Sequence, residues 1–104
     1  MPHDLPRQVT VGPFRWNVDY GPKATLRLVK EDNYGETDLD ELTIRIRSDV
    51  HPEVARETLV HEVIHAAFAV SALSDWPAEQ QEQVCRALAP LLLPHMVVRE
   101  SDDE

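Results

Sequence analysis

The stretch ETLVHEVIHAAFAV, residues 57–70, sets two histidines and a glutamate into a run that is otherwise almost wholly apolar. His61 and His65 are four residues apart, so on a helix they lie one turn apart on one face. Two imidazoles at this spacing can present nitrogens to one zinc ion at about 2.0–2.1 Å. Glu62, next to the first histidine, is rotated away from direct ligation but can reach a zinc-bound water and take its proton. The three residues form the H-E-x-x-H arrangement His61-Glu62-Val63-Ile64-His65. A chain of this composition would produce the pattern by chance in roughly 2 of 100 cases. The alternative is a hydrogen-bonded structural histidine pair, and the apolar flanks weigh against it. A random match would usually fall on a surface or a loop, whereas Leu59, Val60, Val63, Ile64, Ala66 and Ala67 describe a helix buried on most sides. Polar groups in such a helix need partners.

Two histidines do not complete the site, because a catalytic zinc normally has three protein ligands and one open position. Residues 68–75 read FAVSALSD and hold no third histidine. The third ligand must therefore come from further along the chain, where Glu79, Glu82 and Gln83 are available and Asp75 lies in the connection. Cys85 could ligate zinc as a thiolate, but a lone cysteine with apolar neighbours is more often a small core residue.

The elements that would position these residues follow from the pattern. Phe14, Trp16, Val18 and Tyr20 alternate with Arg15, Asn17 and Asp19, the period of a strand with one buried face. ATLRLVK and LTIRIRS repeat the alternation, and Gly21-Pro22 and EDNYGETD read as turn and polar connection, so three mostly antiparallel strands are expected. Arg45 and Arg47 fall on the solvated face of the last strand. If that strand is an exposed edge beside the metal helix, an extended peptide could add to it. The period turns helical after SDVHPE and stays so to about Val70, with Pro52 in the first turn and Ser48 or Asp49 near the cap. A second helix is expected from about Trp76, after a cap at Asp75, with Pro90 kinking or ending it and Pro94 stopping it. Trp16 and Trp76 are read as packing residues, and His3, His51 and His95 have no partner at metal spacing.

At 104 residues the chain is expected to form a single domain, residues 1–104, with frayed ends at 1–8 and 99–104. A net charge of -9 argues against nucleic acid or an anionic membrane as partner, because phosphate binding needs lysine and arginine. The one cysteine excludes an intrachain disulfide and points to a reducing compartment. MPHDLPRQV is not a signal peptide and no run is long enough to span a membrane, so a soluble, cytoplasmic protein is expected.

ETLVHEVIHAAF followed by EQVCRALAPLLLP resembles the small H-E-x-x-H metallopeptidases of tailed phages and prophages, and more distantly the ImmA/IrrE-type gluzincins. The likeness runs from about Leu42 to Pro94. It implies a minimal zincin-like α+β fold: a short three-stranded, mixed or mostly antiparallel sheet packed on the metal helix, with a second, C-terminal helix. It implies one zinc ion held by His61, His65 and Glu82, with Glu62 as the base, and a peptide or protein as substrate. The setting it implies is the cytoplasm of a phage-infected or lysogenic host. The small size leaves little room for a deep specificity pocket. The competing expectation is a non-catalytic phage or prophage accessory protein, using the same scaffold for a structural metal or for protein interaction.

Overall fold

The computed structural model describes residues 5–71 and 75–92. In chain order they form β1 (Gln8–Val11), β2 (Phe14–Asp19), α1 (Pro22–Lys30), β3 (Gly35–Asp38), β4 (Thr43–Ile46), α2 (Pro52–Ala69) and α3 (Ala78–Leu92). The fold is α+β with a four-stranded mixed sheet in the order β1-β2-β4-β3, one strand more than expected. β1 pairs antiparallel with β2 and β3 antiparallel with β4, while β2 and β4 run parallel. The first hairpin turns through Gly12, at φ 61°, and Pro13, whose ring fixes φ near -65°.

The expectation of a strand at ATLRLVK is corrected, because this segment lies within α1. Seven residues cannot separate a period of 2 from one of 3.6, and Ala, Leu, Arg and Lys are strong helix formers. With Pro22 in the first turn, Ala24 and Leu28 are one turn apart and both buried, while Leu26 points out at 60% exposure. The α1 crossover lets β4 lie parallel to β2, since a parallel pair needs a long connection. Thr25 Oγ1 lies 2.9 Å from Ser48 Oγ and accepts from Ser48 N at 3.0 Å, tying α1 to the end of β4. β3 lies within the segment read as a polar connection, where GETD carries no apolar alternation.

The expected edge strand is also corrected. β4 lies between β2 and β3, so LTIRIRS offers no free edge, and β3 is the outer strand. Its arginines alternate with the buried Ile44 and Ile46 as expected, and on that partly exposed face both are ion-paired. Arg45 binds Glu36 and Asp38, the latter at 3.1 Å. Arg47 makes two 2.8 Å bonds to Asp49 and lies over the Tyr34 ring at 5.3 Å.

Trp16 and Val18 of β2, Ile44 and Ile46 of β4, and Val11 form one apolar face, closed by Ala55, Leu59 and Ala66 of α2. Phe14, grouped with that face by alternation, sits at the hairpin turn and is 42% exposed. The expected fraying of residues 1–8 fails at 5–8: Leu5 is buried, its carbonyl accepts from Tyr20 Oη at 3.0 Å, and Gln8 opens β1. Residues 1–4 and 99–104 lie outside the described residues, as do His3, Pro94 and His95.

α2 matches the helical period read from the sequence, with one correction at its start. The cap is His51, whose Nδ1 accepts from Glu53 N at 3.1 Å, in place of Ser48 or Asp49. Pro52 follows in the first turn and Glu53 favours the helix dipole. α3 begins at Ala78, two residues later than expected, and continues through Pro90 to Leu92. It packs chiefly on α2. Trp76, 40% exposed, packs its ring 5.6 Å from Phe68 between the two helices. Among the described residues no helix is long and apolar enough to cross a membrane.

Candidate metal centre

α2 has apolar residues around most of its circumference because it packs on the sheet and on α3. The gap between these two contacts holds its polar stripe. His61 and His65 are each about one-fifth exposed, with ring centroids 5.0 Å apart and planes tilted by 56°. α3 brings Glu82 across this gap. Its Oε1 lies 3.0 Å from His65 Nε2 and its Oε2 lies 3.2 Å from His61 Nε2. Arg86, one turn further along α3, donates from Nε to the same Oε2 at 3.1 Å. Burial alone would raise the Glu82 carboxyl, but the His65 hydrogen bond, the neighbouring His61 and Arg86 outweigh it and hold it below the usual carboxylate range. Glu79, Gln83 and Asp75 are exposed and do not line the cleft, so of the four sequence candidates the fold carries only Glu82 to the histidines.

Cys85, one turn beyond Glu82 on the same helix, is fully buried. Its sulfur and one nitrogen from each of His61 and His65 lie within 4.8 Å of one another. Burial, reinforced by Glu82 and Glu62, pushes the thiol up to about 12, so it is a neutral S–H at ordinary pH. Glu82, held below the usual carboxylate range, is the donor that is already ionised.

Glu62 faces the sheet side of the stripe and is only 7% exposed. Thr37 Oγ1 in β3 points at it, lying 2.6 Å from Glu62 Oε1 and 3.0 Å from the Glu62 main-chain oxygen. Burial raises the Glu62 carboxyl above its ordinary value, against the opposing pull of Thr37 and the two imidazoles. Among the described residues the only fully buried side-chain nitrogen or oxygen without a hydrogen-bond partner is Trp16 Nε1. The second oxygen of Glu62 accepts no hydrogen bond from the described residues, and Glu62 is among the residues that line the cleft.

That cleft, about 880 Å³ in volume, runs between β3 with its flanks and the polar stripe of α2, with Glu82 and Arg86 at its α3 side. Tyr34, Gly35, Thr37 and Leu39 line it opposite His61, Glu62 and His65. Gly35 is required by proximity: a Cβ there would stand 2.7 Å from Thr58 Cγ2 and 3.0 Å from Glu62 Cγ. Arg47 N donates to Tyr34 O at 3.0 Å, which fixes the ladder phase, so the main-chain groups of Gly35 and Thr37 point to the free edge. Apart from the single glycine in a polar connection, no local pattern marks these β3 residues.

The donor set fits a divalent transition metal. Two imidazole nitrogens and a carboxylate converge, as in three-ligand zinc sites that keep one position open. Comparison of the chain with protein-family models, with curated proteins and with solved structures found no match.

Proposed function

We propose that the protein is a zinc-dependent peptidase. The observation that carries this reading is the convergence of Glu82 on both histidine Nε2 atoms, with Glu62 beside them on the lining of a cleft. His61, His65 and Glu82 would hold the ion. Bound zinc supplies a Lewis acid that polarises a carbonyl and lowers the pKa of water. The remaining chemistry belongs to the chain. Glu62 takes the proton of the attacking water on its second oxygen and passes it to the leaving amine nitrogen. The raised affinity of this carboxyl for a proton, a result of burial, suits both halves of that transfer. An extended peptide adds along the free edge of β3, where the Gly35 and Thr37 main-chain groups meet it. This is one strand further out than the sequence pattern placed it. The resemblance to phage and prophage metallopeptidases is in keeping with this assignment, as is a cytoplasmic setting.

Glu62→Gln is the test, because it keeps the shape and removes the base. Zinc content should stay at that of the parent while hydrolysis of a quenched fluorescent peptide falls by about 100-fold or more. Equal hydrolysis by mutant and parent would refute the assignment of Glu62.

A structural metal in a non-catalytic accessory protein has one observation in its favour, the Cys85 sulfur near the same nitrogens. A fourth protein ligand would close the open position. Cobalt substitution separates the two readings. Thiolate-to-cobalt charge-transfer absorption that disappears in Cys85→Ser would mark the closed site, and its absence in the parent supports the open one.

A further inference from the structure

We infer that Thr37 is a positioning residue for the Glu62 carboxylate, so that the edge strand aims the base as well as lining the cleft; this rests on the peptidase reading. The Thr37 hydroxyl has a single proton and faces two acceptors of the same residue, Oε1 at 2.6 Å and the main-chain oxygen at 3.0 Å. The charged acceptor forms the shorter and stronger bond, so the proton goes to Oε1 while Glu62 is ionised. Oε1 is thereby held by the strand, which leaves Oε2 to serve a water near His61 and His65.

The main-chain oxygen gives the same hydroxyl a second place to go. It is within reach without movement of the strand, so Thr37 keeps a partner when the carboxyl takes up a proton and its pull on the hydroxyl weakens. Gly35 completes the arrangement by omitting the side chain that would meet Glu62 Cγ at 3.0 Å. Thr37 stands between Glu36 and Asp38, whose main-chain groups face Arg45 and Thr43 of β4, so the hydroxyl is carried by the sheet and not by a loop.

Thr37→Val keeps the volume and β-branching and removes the hydroxyl, while Thr37→Ser keeps the hydroxyl. Both are made in the full chain loaded with zinc, and each is read for zinc content, peptide hydrolysis and affinity for a dipeptide hydroxamate, a zinc-binding group that gives a proton to the base. In Thr37→Val, kcat should fall by about tenfold or more with KM and zinc content unchanged, because one aligned hydrogen bond to an ionised group is lost. Hydroxamate affinity should fall by a similar factor, and Thr37→Ser should stay within about threefold of the parent. Thr37→Val/Glu62→Gln should bind hydroxamate no more weakly than Glu62→Gln alone, since the effect passes through Glu62. Parent-like kcat and hydroxamate affinity in Thr37→Val, a serine variant as impaired as valine, or additive losses in the double variant would each overturn the inference. A parent that binds zinc and hydroxamate without cleaving peptide would refute the peptidase reading alone, since the hydroxamate series still reads the aim of Glu62.

Discussion

Gly35→Ala is a small change at a place with no room for it. Gly35 does not have positive φ, so alanine meets no backbone strain there, and the whole cost is steric. Its Cβ would lie 2.7 Å from Thr58 Cγ2, about 0.8 Å short of an ordinary carbon–carbon contact. The Thr58 methyl cannot easily swing aside, because Thr58 Oγ1 is bonded to Val54 O at 2.7 Å and a turn about χ1 would break that bond. The Arg45 main-chain oxygen of β4 also stands 3.1 Å from the new carbon, a second close contact and one made by backbone. Overpacking of this kind costs about 1–3 kcal/mol. Urea unfolding should therefore show a lower midpoint with an unchanged slope. Thr58→Ser removes the obstructing methyl and keeps the hydroxyl, so adding it to Gly35→Ala should return at least half of the loss. Strict additivity of the two substitutions, or a parent-like midpoint for Gly35→Ala alone, would refute the claim that β3 and α2 are in hard contact here.

Three further expectations concern the metal. His61→Ala and His65→Ala should each abolish stoichiometric zinc, measured by elemental analysis, and full occupancy in either would remove the basis for a metal site. Chelation of the parent should lower Tm, since a ligand that binds only the folded chain stabilises it; a Tm indifferent to chelator would show that the ion holds nothing together. Glu82→Ala should weaken zinc binding by about tenfold or more, judged against the 10–100-fold cost of losing outer partners of a metal ligand, while Glu79→Ala should leave it nearly unchanged, and the opposite order in a chelator competition would transfer the role to Glu79.

The legibility of the fold followed the strength of local pattern. α2 could be read because an apolar run with Pro52 at its start has one interpretation, and β2 and β4 because Trp16, Val18, Ile44 and Ile46 alternate with polar residues. α1 could not, since seven residues with apolar positions at 24, 26, 28 and 29 satisfy both periods, and only the position of the sheet decides which leucine is inside. β3 was invisible for a different reason. Gly-Glu-Thr-Asp has no apolar face, and the strand exists because Arg45 gathers Glu36 and Asp38 and because Thr37 meets Glu62. At the site, His61, Glu62 and His65 were fixed by spacing within one helix. Glu82 could be ranked from sequence but not placed, because its position depends on how α3 docks. Thr37 lies 25 residues from its partner, and no local pattern reports a contact of that separation.

The free edge of β3, where we propose that a peptide adds, is equally open to the edge of a second copy. β3 meets that hazard by its brevity and its composition. Four residues offer few unpaired main-chain groups, and glycine and aspartate pair poorly into extended sheets. The alternate residues Glu36 and Asp38 are engaged by Arg45 on the face away from α2, so that face of the strand is polar. With a net charge of -9, two copies also repel before their edges can meet. The weak strand-forming sequence that hid β3 from pattern reading thus lets this edge stay open in a crowded solution without seeding aggregates.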